Sequence, residues 1–251
     1  VLVRVIEISD YIERMHITEF LNSQTPIRDS YFIANHSIIR NLQKELLEKG
    51  YYLERQINET EYMTERGIFT GNQERIQLES TIQYYVGYWI NKYSSLAKRG
   101  KSSLFDKSKI EDLLSGISAD RVVTAMETYK SISEVLTMYR KMRRNPSKKD
   151  FANYIGVDPI LLLNHIEEFR YMNTGDIILL NAVANLDSKY KSLELNTALK
   201  DLIIDAIFIV KDVIKKENDT NYSQLTKSAN IFNKVQSEIA TLETNYIRKM
   251  I

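Results

Sequence analysis

The sequence predicts an all-α fold built from several small helical domains joined by linkers. Only eight glycines and three prolines interrupt its 251 residues, so most of the chain can continue as helix. Apolar residues recur at intervals of three and four along almost the whole chain, which is the period of an amphipathic helix. Strand-like alternation is nearly absent, and no internal repeat is evident, which disfavours a solenoid.

The helices follow in order from this spacing and from the residues that end them. The first predicted helix, residues 33–47, ends near Gly50, and the third, residues 82–96, ends near Gly100. Residues 173–190 have no clear period and are expected to be irregular. The other helices are predicted at residues 53–70, 107–115, 119–143, 147–155, 159–172, 193–217, 221–228 and 232–250. Asn145-Pro146 is expected to break the chain after the helix at 119–143.

The composition excludes several classes of site. The chain contains no cysteine, so it cannot form a disulfide, a thiolate metal site or a cysteine nucleophile. Its only histidines, His16, His36 and His165, are not at ligand spacing. We therefore expect no bound metal and no cofactor.

Export and membrane insertion are also disfavoured. The first residues, VLVRVIEI, form a stretch too short and too charged for a signal peptide. The most apolar run, residues 202–210, contains Asp205 and is far shorter than the roughly 20 residues that span a bilayer. We expect a soluble, cytoplasmic protein without a membrane partner.

Two segments have the pattern of a helix-turn-helix. In the first, Ser147 precedes a short helix, Gly156 provides the turn, and Pro159 opens the next helix. In the second, residues 222–228 and 231–243 are helical on either side of Ala229-Asn230. The pattern is typical of small DNA-binding modules, although most short helix pairs in all-α proteins bind no DNA.

Positive charge is concentrated locally, although 34 Lys and Arg nearly balance 33 Asp and Glu. One cluster covers residues 92–109 and a second covers residues 140–149. The first follows the aromatic segment YYVGYWINKY, residues 84–93. Aromatic side chains beside cations can stack on unpaired bases while the cations contact phosphates, or they can simply pack a core.

This aromatic segment resembles the bacterial RNA polymerase sigma factors of the sigma-70 family. Their promoter-opening helix has the form TYAxWWIRQAI, and Tyr84-Tyr85 and Tyr88-Trp89 fit its TY and WW positions. Four further segments resemble family motifs in the family's order. These are the clamp helix and its preceding helix at 35–60, the middle domain at 145–157, the linker of sporulation and stress factors at 175–184, and the C-terminal helix-turn-helix at 222–239.

The resemblance implies a division of the chain into domains. Residues 28–115 would form the domain that binds the polymerase clamp and the minus-ten element, and residues 116–172 a middle helical module. Residues 173–192 would be a linker, and residues 193–251 the domain that reads the minus-thirty-five element. Residues 1–27 would form an N-terminal helical extension.

The resemblance also implies the site residues and the partners. RNA polymerase core would bind Leu53, Glu54, Ile57, Asn58 and Glu59. Promoter DNA would contact Tyr84, Tyr85, Tyr88, Trp89, Lys92, Lys98, Arg99, Lys101, Lys148, Lys149, Asn233, Lys234, Gln236 and Ser237. An anti-sigma factor or a co-subunit would be a further partner. The implied function is transcription initiation, in which the polymerase performs the chemistry.

Two other functions stay open on the residues alone. A sigma-like helical regulator or adaptor would bind protein without opening promoters, and Arg55 and Gln56 favour it because they replace the acid and the leucine of the clamp helix. An enzyme is disfavoured, because the chain has no P-loop, no G-x-S-x-G and no H-E-x-x-H motif. Lone carboxylates such as Glu65 and Asp176 are typically surface or capping residues.

Overall fold

The first described elements form a helix and a small parallel sheet. In the computed structural model, residues 33–56, 59–100, 104–105, 107–217 and 219–243 are described. Helix α1 is Ser37–Glu48, and Gly50, with a φ of +83°, turns the chain into strand β1, Tyr51–Glu54. Strand β2, Glu74–Gln77, pairs with β1 in parallel, with Tyr51 opposite Glu74.

The helix predicted over residues 53–70 is wrong in its first part. Leu53 and Glu54 belong to β1, and helix α2 is only Glu59–Glu65. Leu53 is fully buried, and its neighbour in the sheet is Ile76. Residues 51–54 are therefore a strand because they pair with β2, which begins 20 residues after β1 ends. The local spacing of apolar residues cannot predict such a pairing.

Three long helices form the centre of the fold. Helix α3 is Leu78–Trp89, α6 is Ala119–Arg144, and α9 is Asp176–Ser192. Between α3 and α6 come the short helices α4, Ser94–Arg99, and α5, Ile110–Leu114. Helices α3 and α9 approach each other closely at Gly87, where an added Cβ would lie 3.2 Å from both Ile177 and Leu180.

Helix α9 lies where the sequence predicts irregular structure. Its residues 177–183 are all buried, so apolar side chains occur on every side of the helix. A helix that is buried all round has no polar face and therefore shows no amphipathic period. The irregular structure predicted for residues 173–190 is wrong for this reason.

The remaining helices complete the described chain. A short pair, α7 and α8, follows the break predicted at Asn145-Pro146, and a 3-10 segment, Ile166–Asn173, leads into α9. After α9 come α10, α11 and α12. The bounds are Asp150–Ile155 for α7, Pro159–Asn164 for α8, Leu199–Lys215 for α10, Tyr222–Leu225 for α11 and Ala229–Ala240 for α12.

The all-α prediction is confirmed, since helices make up most of the described chain and its sheet has two short strands. One contiguous cluster of buried side chains extends from Ile33 in the first described segment to Ile239 in α12. The predicted N-terminal extension, residues 1–27, lies outside the described residues. Within the described ranges, no helix combines the length and the apolar character that crossing a bilayer requires.

Candidate functional site

A groove of about 970 Å³ lies between strand β2, helix α3 and helix α6. Its apolar surface comes from three tyrosines and two methionines together with Ile76, and hydroxyl and charged side chains surround them. The lining residues are Tyr51, Glu74, Arg75, Ile76, Gln77, Ser80, Thr81, Tyr84, Met126, Glu127, Tyr129, Lys130, Ser133, Glu134, Thr137, Met138 and Lys141.

Helix α6 provides one wall of the groove because of its residue spacing. Met126, Lys130, Ser133, Thr137 and Lys141 follow one another at intervals of three or four residues and therefore share one face of the helix. The opposite face of α6 carries buried residues such as Ile132, Val135 and Tyr139. The helix is thus fixed by its buried side while its groove-lining side stays accessible.

Two tyrosines and an ion pair join the floor of the groove to the core. The rings of Tyr84 and Tyr129 stack with centroids 3.8 Å apart and an angle of 20° between their planes. The Tyr129 hydroxyl donates to Asp176 Oδ2 at 3.3 Å, and Lys98 Nζ donates to Asp176 Oδ1. Helices α3, α4, α6 and α9 therefore meet at Asp176.

Both stacked phenols are neutral at physiological pH. Burial raises the pKa of Tyr129 well above its ordinary value, and the negative charge of Asp176 raises it further. Burial also raises the pKa of Tyr84. The floor of the groove is therefore an uncharged aromatic surface. The negative charge of Asp176, which the Tyr129 hydroxyl contacts, is paired with Lys98.

Arg75 is held at the edge of the groove by a buried carboxylate. Arg75 donates to Glu54 Oε2 through Nε at 2.9 Å and through a second guanidinium nitrogen at 2.5 Å. Thr60 donates to the other carboxylate oxygen of Glu54 at 2.6 Å. Glu54 is only 5% exposed, so this ion pair fixes β1 to β2 and orients Arg75.

The charges that line the groove are balanced. Arg75, Lys130 and Lys141 are cations, and Glu74, Glu127 and Glu134 are anions. An apolar, aromatic floor with charges of both signs around it suits a ligand that has an apolar body and both a positive and a negative group. Among the described residues, no group of three or more acidic or histidine side chains could hold a metal ion.

Comparison with known proteins assigns the family. The model of the family described as AIPR protein matches residues 1–250. This chain belongs to the AIPR family. No curated protein and no solved structure matches it significantly.

The family corrects the interpretation based on sigma factors. Membership of the AIPR family means that the resemblance to sigma-70 factors is wrong, and so is the function in transcription initiation that it implied. The sigma-like regulator or adaptor fails for the same reason. RNA polymerase core, promoter DNA and an anti-sigma factor or co-subunit are no longer supported as partners of this AIPR chain. The sigma motifs are short and degenerate, and helices that pack a core also match them.

The residues assigned to the polymerase have internal contacts in the AIPR chain. Leu53 is fully buried, and Glu54 forms the ion pair with Arg75. Glu59 accepts hydrogen bonds from the backbone N–H of Arg55 at 2.6 Å and from its guanidinium group at 2.7 Å. Ile57 and Asn58 lie outside the described residues.

The four aromatic residues assigned to promoter DNA lie on one helix but differ in their exposure and contacts. Tyr84 lines the groove, whereas Tyr85 is fully buried and donates to the backbone oxygen of Ser115 at 3.0 Å. Tyr88 is also buried. Trp89 is 36% exposed, and its indole N–H donates to the backbone oxygen of Arg121 at 2.9 Å. They therefore form no common stacking surface.

The cations assigned to DNA are also scattered. Lys98 is bound to Asp176, exposed Lys92 pairs with Asp112 at 3.3 Å, and Arg99 Nε donates to the backbone oxygen of Lys227 at 3.1 Å. Lys148 and Lys149 are exposed. Lys101 lies outside the described residues.

The residues assigned to the last module lie on helix α12. Gln236 donates to Asn181 Oδ1 in α9 at 2.9 Å, and Lys234 forms an ion pair with Glu217 at 2.5 Å. Asn233 and Ser237 are exposed and line a second cavity of about 590 Å³ between α10 and α12. Gln236 is therefore engaged within the fold.

Sequence reasoning missed most of the groove. Tyr129, Lys130 and Arg75 received no role, and Asp176 was considered only as a lone carboxylate. A usable signal was the stripe of hydroxyl and charged residues at helical spacing on one side of α6. The contribution of β2 had no local signal, because its position depends on pairing with β1.

Proposed function

We propose that this chain acts in phage resistance by abortive infection, and that the groove is the site at which it binds the ligand for this role. The family match supports the defence role because it covers residues 1–250, nearly the whole chain. Two features support the groove as the ligand site: it is the larger of the two cavities described above, and it has more aromatic side chains.

The lining of the groove favours a small ligand over a polyanion. Its volume of about 970 Å³ lies within the range of small-molecule sites, which are mainly apolar with a few polar groups. Nucleic-acid sites carry an excess of Lys and Arg that replaces condensed counterions, whereas three cations and three anions line this groove. The ligand class that fits is a small molecule with an apolar body and charges of both signs.

We further propose that the chain acts by binding, without catalysing a reaction itself, and that it does so in the cytoplasm. The lack of recognisable catalytic motifs in the sequence supports the first proposal. The second rests on the site of infection, since phage components are produced in the cytoplasm of the host.

Infection of bacteria that express the chain tests the defence role and the groove together. Plaque formation by a panel of phages is compared between cells with the chain and cells without it. The test variant is Thr137→Trp, which places a large side chain in the groove. Survival of cultures at high phage dose separates abortive infection, in which infected cells die, from a block that spares them.

Thr124→Trp is the matched control. Both threonines are exposed residues of α6, and each donates its hydroxyl to the carbonyl four residues earlier, at 2.8 Å for Thr137 and 2.9 Å for Thr124. Only Thr137 lines the groove. Circular dichroism checks that both variants retain their helices.

The outcomes separate the two parts of the proposal. We expect the chain and Thr124→Trp to reduce plaques of at least one phage by tenfold or more, and Thr137→Trp to lose this reduction. Equal plaque numbers with and without the chain, for every phage in the panel, would overturn the defence role. Full protection by folded Thr137→Trp would overturn the assignment of the groove.

A further inference from the structure

Exposed aliphatic side chains lie in the first turn of helix α8, near a group of exposed cations in the sequence. Ile160 is 71% exposed and Leu161 is 53% exposed. Arg144 ends α6, and Lys148 and Lys149 precede α7, all three exposed. We call these five residues the basic-aliphatic surface.

Local sequence signals fix α8 in this position. Gly156 has a φ of +71° and ends α7, and Asp158 Oδ1 accepts hydrogen bonds from the backbone N–H groups of Ile160 and Leu161 at 2.8 and 3.1 Å. Leu162 is fully buried. Ile160 and Leu161 are therefore held outward on an anchored turn, which limits their ability to fold back onto the core.

The cations of this surface are not neutralised by neighbouring acids. Among the described residues, no carboxylate lies within ion-pair distance of Arg144, Lys148 or Lys149. Between Arg140 and Asn164 the chain has six cations and two acids, although its total charge is only +1. Positive charge is thus concentrated next to the exposed aliphatic pair.

The two parts of the surface are close enough to act together. Lys149 lies at the start of α7, and Ile160 follows its end after a short turn. A helix of six residues is about 9 Å long at 1.5 Å per residue. The chain between the cations and the aliphatic pair is thus short, and a bilayer surface that contacts the cations is within reach of the aliphatic side chains.

We infer that the basic-aliphatic surface docks on an anionic lipid bilayer. Clustered Lys and Arg are attracted to acidic headgroups, and protruding aliphatic side chains gain free energy by leaving water. Duplex DNA fits less well, because Ile160 and Leu161 have no side-chain donor or acceptor for base edges. This docking is peripheral and independent of the groove and its ligand, and it replaces the expectation from the sequence that the chain has no membrane partner.

Vesicle sedimentation tests the inference with the full chain. The vesicles are phosphatidylcholine alone, or phosphatidylcholine with 30% phosphatidylglycerol. We expect at least tenfold more chain to sediment with the anionic vesicles than with the neutral ones. The double variants Lys148→Glu/Lys149→Glu and Ile160→Ser/Leu161→Ser should each lower this binding by at least fivefold.

Matched variants elsewhere in the chain separate the surface from general charge and hydrophobicity. Arg40→Glu/Lys44→Glu reverses two exposed cations of α1, and Ile68→Ser removes an aliphatic side chain that is 45% exposed. Both should bind anionic vesicles like the unaltered chain. Far-ultraviolet circular dichroism of every variant confirms the fold before sedimentation.

A fluorescence measurement tests whether the aliphatic pair enters the bilayer. Ile160→Trp should show a blue shift on anionic vesicles that exceeds the shift of the unaltered chain, which contains one tryptophan. Ile68→Trp should add no such shift. Absence of binding to anionic vesicles, or binding unchanged in both double variants, would overturn the inference. Tighter binding to duplex DNA than to vesicles, retained by Ile160→Ser/Leu161→Ser, would assign the cations to nucleic acid and overturn it too.

Discussion

Tyr84 and Tyr129 stack face to face, 3.8 Å between ring centroids, at the point where helices α3 and α6 line the groove. The Tyr129 hydroxyl continues this contact to Asp176 in α9. The stack is thus both a surface of the groove and a joint between three helices, so a ligand on it would rest on a rigid floor.

Replacing Tyr129 by phenylalanine should weaken this joint. The change keeps the ring stack but removes the hydrogen bond to Asp176, and we expect the free energy of unfolding to fall by about 1 kcal/mol. Urea denaturation measures it. Tyr93→Phe is the control, because the Tyr93 hydroxyl donates to Asp112 at an exposed site, where the cost should stay below about 0.5 kcal/mol. An equal cost at both sites would contradict the prediction.

Replacing Gly87 by alanine should destabilise the contact between α3 and α9. The added Cβ would lie 3.2 Å from Ile177 Cγ2 and Leu180 Cδ2, and overpacking of this kind costs about 1–3 kcal/mol. Thermal or urea unfolding measures the change. Adding Leu180→Ala should cost less stability in the Gly87→Ala variant than in the unaltered chain, because it removes the Cδ2 atom beside the new Cβ. Strictly additive effects of the two changes would show that the contact is not the cause.

Gln236→Leu should lower the free energy of unfolding. If Gln236 were a surface residue that only contacts DNA, the same change would leave stability unchanged. Gln236 donates to Asn181 Oδ1 at 2.9 Å, and its loss leaves a buried amide oxygen without this partner, at about 1–2 kcal/mol. Asn233→Leu, on an exposed position of the same helix, is the control and should change the free energy of unfolding by less than about 0.5 kcal/mol. Urea denaturation distinguishes the two.

Glu168 should make stability depend on pH in the acidic range. Burial alone would raise its pKa, but the hydrogen bonds from His165 and Lys215 outweigh burial, and the net pKa is below the ordinary value. A carboxyl group with a lowered pKa in the folded state contributes stability above its unfolded pKa, and this is lost as pH falls through the folded pKa. The stability difference between the chain and Glu168→Gln should therefore be largest above about pH 5 and shrink below about pH 4.

Urea unfolding at pH values between 3 and 7 measures this difference, and NMR titration of the Glu168 carboxyl group gives the pKa directly. Lys215→Met removes a cation 3.1 Å from the carboxylate and should move that pKa upward. A stability difference that is constant over the whole pH range would contradict the assigned role of Glu168.

Local signals predicted those parts of the fold that depend on short stretches of chain. Gly156, Asp158 and Pro159 mark the turn between α7 and α8, and the structure has a left-handed glycine, a capping aspartate and a first-turn proline at these positions. The break at Asn145-Pro146 and the long helix before it were predictable for the same reason. Each of these features is decided by residues within a few positions of one another.

Long-range packing explains the features of the fold and of the groove that the sequence did not predict. Strand β1 exists because Leu53 pairs with Ile76, and α9 has no visible period because residues 177–183 are buried on all sides. The aromatic segment at residues 84–89 resembled a DNA-binding helix, yet Tyr85 and Tyr88 are core residues of α3. Of the groove, only Tyr84 was predicted as a site residue, because the other walls are assembled from segments far apart in the chain.

The amide of Asn181 joins three distant parts of the chain. Its Nδ2 donates to the backbone oxygen of Gly87 at 3.0 Å and to Asn91 Oδ1 at 2.9 Å, while its Oδ1 accepts from Gln236 in α12. If α12 opened alone, Asn181 Oδ1 would lose its hydrogen bond from Gln236. We therefore expect α3, α9 and α12 to open together. Their slowest backbone amides should then exchange with deuterium at one common rate, as a single cooperative unit that includes both early and late segments of the chain.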